Sequence, residues 1–121
     1  MKIRAILHAS VIVADTEKSL AFYCGVLGLQ RCTDRPDLGY PGAWLQVGEQ
    51  QIHLLELPNP DPVTGRPAHG GRDRHTALAV SDFDELARRL DEAGIAYTRS
   101  RSGRRALFCR DPDGNALEFI G

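Results

Sequence analysis

The sequence predicts an α+β protein built from two βαβββ modules. Two observations carry this. Short apolar, β-branched stretches alternate with two segments of helical periodicity. The same residue frame also occurs twice: His8-x-x-Val-x-Val-x-Asp15 matches His75-x-x-Leu-x-Val-x-Asp82, a spacing of 67 residues (8 to 75 and 15 to 82). Leu27-Gly28-Leu29 then matches Ala93-Gly94-Ile95 at 66, and Gln51-Ile52-His53-Leu54 matches Ala116-Leu117-Glu118-Phe119 at 65. Three matches in order indicate a duplicated unit. Module one is expected at about 1–57, a connector at about 58–74 and module two at about 75–121, within a single domain.

The elements follow in turn. Ile6 to Val13 reads as a strand, with Val11 and Val13 on one face and His8, Ser10 and Ile12 on the other. Asp15 offers an N-cap oxygen, Leu20, Tyr23 and Leu27 recur at helical spacing, and Gly28 sits where a helix ends. Ala43 to Val47 and Gln51 to Leu57 read as strands joined by a turn at Gly48-Glu49-Gln50. The proline- and glycine-rich stretch from Pro58 to Arg74 is a long connector, and long ordered connectors are often functional. His75 to Val80 is the next strand. Asp82-x-x-Glu85 is a capping box, Leu86 and Leu90 give the buried stripe, and Gly94 ends the helix. Ile95 to Thr98, Ala106 to Cys109 and Ala116 to Ile120 are strands, with Asp111-Pro112-Asp113-Gly114 as turn chemistry.

Composition excludes several classes. The chain has 121 residues, 42% hydrophobic and 26% charged, the balance of a folded domain rather than a disordered one. A net charge of −1 gives no field for a nucleic-acid backbone. No apolar run reaches the roughly 20 residues of a membrane helix. The N-terminal residues alternate like a strand and lack the apolar core of a signal peptide. Three cysteines, Cys24, Cys32 and Cys109, have no metal-motif spacing and read as inert thiols of a reducing cytoplasm, Cys109 lying nearest the ligand face.

The repeat also makes a chemical statement. His8 and His75 are equivalent, and so are His53 and Glu118. Strand parity sets each opposite its apolar neighbours, so packing of the halves by pseudo-symmetry would bring the four to one point. Three imidazoles and a carboxylate suit Zn²⁺, Ni²⁺, Co²⁺, Mn²⁺ or Fe²⁺. Glu56 competes with His53 for the fourth position, although parity turns it to the opposite face. Trp44 and Gln46 are expected to face the same side as the ligands and contact substrate. Arg35, Arg104 and Arg105 are candidates for a substrate carboxylate, against the plainer reading of solvated surface charge. His69, in the connector, is expected to be solvated.

These residues, together with Ser19-x-x-Phe22-Tyr23 and Asp111-Pro112-Asp113-Gly114-Asn115-x-x-Glu118, resemble the vicinal oxygen chelate superfamily, the glyoxalase/bleomycin-resistance/dioxygenase group. The resemblance covers essentially the whole chain. It implies paired βαβββ modules forming a cup-shaped mixed sheet around a divalent metal, and homodimers whose sites are often assembled from two chains. By position, His8, His53, His75 and Glu118 would be the ligands, and Glu118 the base that moves a proton between carbons while the ion stabilises an enediolate. A lactoylglutathione lyase-like isomerisation of a hemithioacetal is implied, with glutathione as co-substrate. In glyoxalase I the position matching His53 is usually glutamate, so the histidine adds a neutral ligand and removes a second carboxylate base. The alternatives are a non-haem iron dioxygenase using His8, His75 and Glu118, a metal-dependent thiol transferase, and a non-catalytic drug-binding protein.

Overall fold

The protein is described by a computed structural model covering all 121 residues, Met1–Gly121. It divides into two compact units, Met1–Asn59 and Pro60–Gly121.

The first unit runs β1 (His8–Val13), α1 (Thr16–Leu20), a π-helical continuation over Ala21–Val26, β2 (Gln30–Arg31), β3 (Gly42–Val47) and β4 (Gln50–Glu56). Its four-stranded sheet has the order β1-β4-β3-β2, with β1 and β4 parallel and the other pairs antiparallel. Asp15 caps α1 as expected, its side chain accepting from the Glu17 and Lys18 amides. The Glu56 carboxylate accepts from the Thr16 amide at 2.8 Å, so this strand end also satisfies the helix start. Val13, Phe22, Tyr23, Leu45, Ile52 and Leu54 form the core.

The second unit repeats the plan. After a single 3₁₀ turn at Gly70–Arg72 come β5 (His75–Ala79), α2 (Phe83–Glu92), β6 (Tyr97–Arg99), β7 (Ala106–Arg110) and β8 (Ala116–Ile120). The sheet order is β5-β8-β7-β6, again with only β5 and β8 parallel. Asp82 caps α2 through the Glu85 amide, and Phe83, Leu86 and Leu90 bury its inner stripe.

The α+β class and the two βαβββ modules are therefore present, as two mixed sheets. Differences are local. β2 is two residues long, too short for an alternation signal. The first helix changes winding at Ala21, and Leu27 donates to the Phe22 carbonyl at 3.0 Å. Ile95 does not join β6, because after Gly94 turns to φ +69° its amide bonds back to the Leu90 carbonyl at 2.9 Å and closes α2. No helix is long and apolar enough to cross a membrane.

The connector is the main departure from expectation. Its second half is fixed on the second unit by Asp73, whose carboxylate accepts from Arg66 at 2.7 Å through both oxygens and from Arg110 at 2.8 Å. These guanidinium donors hold the Asp73 carboxyl well below the usual carboxylate range, with its own burial opposing them. Gly70 lies so close to the sheet that a Cβ there would meet the Phe108 and Ala116 Cβ atoms at 3.2 and 3.3 Å.

Asp73→Asn should lower stability at neutral pH by about 1–2 kcal/mol, the lower part of the range for hydrogen bonds to charged groups because the arginines partly face water. The contribution exists above the ordinary aspartate pKa and fades as pH falls through the depressed folded value. Urea unfolding over a series of pH values checks it: wild type and variant should differ at pH 7 and begin to draw together only below the ordinary aspartate pKa, most of the difference persisting until the depressed folded value is approached.

Candidate metal centre

In the first unit the parallel register pairs His8 with Gln51 and Ser10 with His53, while β3 sets Trp44 opposite His53 and Gln46 opposite Gln51. These six residues share one face of the sheet. The His53 ring stacks between two others: His8 at 3.9 Å between centroids with a 13° interplanar angle, and Trp44 at 4.3 Å and 5°. Its Nε2 lies 2.8 Å from Gln51 Oε1.

The surrounding amides fix the orientation of that contact. Gln46 donates through Nε2 to the Gly48 and Gln50 carbonyls, so its Oε1 turns to Gln51 Nε2 at 3.3 Å. Gln51 Oε1 must then accept, which makes His53 Nε2 the donor and leaves Nδ1 with the ring lone pair. Burial lowers the His53 pKa, and His8 and Arg35 lower it further by charge. A neutral imidazole is the form that binds metals.

In the second unit β5 and β8 pair Ala77 with Glu118, and β7 sets Phe108 opposite Glu118. Glu118 is buried, its side chain 5% exposed. His75 Nε2 lies 3.3 Å from Glu118 Oε2, and Arg104 donates to Glu118 Oε1 at 2.8 Å. His75 Nδ1 lies 2.8 Å from the Asp73 carbonyl, which can only accept. Nδ1 therefore carries the proton, and in the neutral ring Nε2 holds a lone pair facing a carboxylate oxygen. Two electron-rich atoms so placed are a fitting donor pair for a cation, and a carbonyl behind the imidazole is a common way to orient a metal-binding histidine.

Each unit thus brings together one pair of the four expected ligands, His8 with His53 and His75 with Glu118. No group of three or more histidine, cysteine, aspartate or glutamate side chains is gathered as a metal cage. Trp44 and Gln46 lie on the ligand face. Glu56 lies on the opposite one, with regular pairing through Val13 and Glu56 and its carboxylate on the Thr16 amide. Arg105 is engaged elsewhere, bonded to Asp84 at 2.6 Å and lying over the Phe83 ring. Arg35 donates to the Tyr40 carbonyl at 2.9 Å.

Three expectations need correction, those for His69, Arg104 and Cys109. His69 is not solvated. It is 9% exposed, with Nδ1 2.6 Å from Thr98 Oγ1 and its ring edge-on to Phe108 at 4.8 Å, because the connector folds down onto the sheet. Arg104 is not simply a solvated charge, since it reaches a buried carboxylate. Cys32 Sγ lies 3.4 Å from Gln46 Oε1 and 3.6 Å from Gln51 Nε2, beside the amides of the ligand face. Cys109 points away from the Glu118 side, one residue out of phase with Phe108; burial pushes its thiol up to about 12.

Sequence reasoning missed Phe108, although a signal existed. Trp44 and Phe108 occupy the same register position, directly across from His53 and Glu118 respectively, so an aromatic ring flanks the ligand in each half.

Comparison with known proteins establishes the family and the fold. The family model for the Glyoxalase/Bleomycin resistance protein/Dioxygenase superfamily matches residues 5–119. The chain is 32% identical to Glyoxylase I 4 of Arabidopsis thaliana, over 93% of this chain and 67% of that protein. It is 31% identical to a lactoylglutathione lyase of Salmonella typhimurium, over 95% of this chain and 90% of that protein. A solved Bacillus anthracis structure of the glyoxalase family superposes with a TM-score of 0.80 at 26% identity, covering 99% and 96% of the two chains.

The His8–His53 stack has a direct consequence for titration. Replacing His8 with alanine should raise the His53 pKa toward the ordinary histidine value in metal-free protein, because one neighbouring charge is removed. Nuclear magnetic resonance titration of the His53 ring measures this; an unchanged midpoint would show that the stacked pair does not persist in solution.

Proposed function

The chain belongs to the glyoxalase/bleomycin-resistance/dioxygenase superfamily, and we propose that within it this protein is a divalent-metal-dependent enzyme of glyoxalase type. The observation that carries the reading is the pairing of donors at matching positions of the two modules, with His75 Nε2 and Glu118 Oε2 facing each other at 3.3 Å. Each pair alone is two donors, and a four-ligand set of three imidazoles and one carboxylate requires both.

When bound, a divalent ion supplies Lewis-acid stabilisation of negative charge developing on substrate oxygens. His8, His53 and His75 would contribute neutral donors to such an ion, and Glu118 a single negative charge. Glu118 would take a proton from the carbon next to a substrate carbonyl and return it to the neighbouring carbon. Its burial keeps bulk water from exchanging that proton. Trp44 and Phe108 supply flat apolar surfaces beside the donors, and Gln46 and Gln51 hold His53 in one tautomer. The substrate class we propose is an α-oxo hemithioacetal, the adduct of methylglyoxal and glutathione, converted to a thioester. The proposal extends to a homodimer and to a cytoplasmic setting, the latter supported by three cysteines without disulfide partners.

The test begins with metal analysis of protein purified without chelator or a nickel-charged column, followed by a methylglyoxal–glutathione assay with Ni²⁺, Zn²⁺, Mn²⁺ and Fe²⁺ in turn. Bound metal with thioester formation supports the proposal; metal without thioester formation removes the substrate assignment; no metal under any condition removes the enzymatic reading. Sedimentation velocity checks the dimer. Glu118→Gln should stay folded and lose at least about a hundred-fold in turnover, the usual worth of a general acid–base group. His53→Ala should weaken metal binding by roughly ten-fold or more, as even outer-shell partners do, whereas Glu56→Ala should leave it unchanged. The reverse pattern would exchange the two residues' roles.

A further inference from the structure

The first unit holds a cation that its own chain does not neutralise. Arg35, in the loop between β2 and β3, is partly buried. Its Nη2 donates to the Tyr40 carbonyl at 2.9 Å, and its guanidinium carbon lies 5.3 Å from the centre of the Tyr40 ring. Its Nε is buried without a hydrogen-bond partner, whereas Nη1 forms no bond within the protein and is not enclosed. The other two partly buried arginines, Arg66 and Arg110, share the Asp73 carboxylate at 2.7 and 2.8 Å. Arg35 alone of the three has no carboxylate, although a charge withdrawn from water is costly unless paired.

The loop sets this cation on the ligand face. Gly42 has the parity of Trp44 and Gln46 on β3, and a Cβ built there would lie 3.1 Å from Arg35 Nη2 and overlap the Leu54 carbonyl oxygen. Glycine at this position therefore makes room for the guanidinium beside the strand. Trp44 is the next side chain along that face. Behind burial and His8, Arg35 is also the third influence lowering the His53 pKa.

We propose that Arg35 is the seat of an anion-binding subsite on the first unit's ligand face, and that the molecule bound there carries a carboxylate. A carboxylate brings two oxygens and one negative charge to the free donors of one guanidinium. A phosphate dianion brings more charge and more acceptor oxygens than a single, partly engaged guanidinium can match. Tyr40 and Trp44 add flat apolar surface, so a carboxylate on a planar ring suits the position. The subsite belongs to the first unit alone and needs no metal, so it stands or falls apart from the enzymatic reading above.

The test is a nuclear magnetic resonance titration of metal-free, isotope-labelled protein. Sodium benzoate is the probe, benzamide its uncharged counterpart and inorganic phosphate the competing anion. Trp44 is the only tryptophan, so its indole N–H is a single signal beside the subsite. The Arg35 Nε–H reports the subsite itself, and the Arg66 Nε–H, bonded to Asp73, is the paired control. Benzoate should shift the Trp44 and Arg35 signals and leave Arg66 in place. It should bind at least about ten-fold more tightly than benzamide, the lower end of the worth of hydrogen bonds to a charged group. Phosphate should bind more weakly than benzoate. Arg35→Met should lose benzoate affinity by the same factor, with Arg35→Lys in between, since an ammonium keeps the charge but not the planar fork. Circular dichroism establishes that each variant is folded. The proposal is overturned by no benzoate response, by benzamide or phosphate binding as well as benzoate, by shifts centred on Arg66, or by wild-type affinity in Arg35→Met. The wild-type titrations decide the matter by themselves if the methionine variant does not fold.

Discussion

The candidate site depends on the parallel pairing of the first and last strand of each module. In β1–β4 and β5–β8 the register sets Ser10 beside His53 and Ala77 beside Glu118. It thereby leaves His8 and His75 two residues back on the same face. Side chains alternate with a strict period of two, so a slip of one residue would send His53 or Glu118 to the opposite face among the core leucines. That face is committed to Leu45, Ile52 and Leu54 in one unit and to Leu107, Leu117 and Phe119 in the other, all buried. The apolar packing that stabilises each sheet thus also determines which side chains meet as donors.

Much of this was legible in the amino-acid sequence because period-two alternation and a duplicated frame are both written in residue types. The pairs His8/His75 and His53/Glu118 follow from the repeat, and their shared face follows from parity. What was not legible depends on chain segments without periodicity. Nothing in Ser100-Arg101-Ser102-Gly103-Arg104 signals that its second arginine folds back onto Glu118. His69 lies in a stretch whose prolines and glycines suggest exposure. Its burial is a consequence of the Asp73 ion pairs, which join residues as distant as Asp73 and Arg110. β2 escaped because two residues cannot display an alternation.

The two modules share a backbone plan but support their donors differently. In the first, the supports are neutral: an amide chain from Gln46 through Gln51 to His53, and a stack of flat rings. In the second they are charged or main-chain: the Arg104 guanidinium and the Asp73 carbonyl. Asp73 has two roles there, since its side chain fastens the connector and its carbonyl orients the His75 ring.

The ring stack around His53 has an optical consequence. Trp44 is the only tryptophan in the chain, and its indole lies face to face with an imidazole 4.3 Å away. A protonated imidazole in that position accepts an electron from an excited indole far more readily than a neutral one. The tryptophan emission of this protein therefore originates at a single location and is sensitive to the charge on His53, making it a label-free gauge of that ring's protonation.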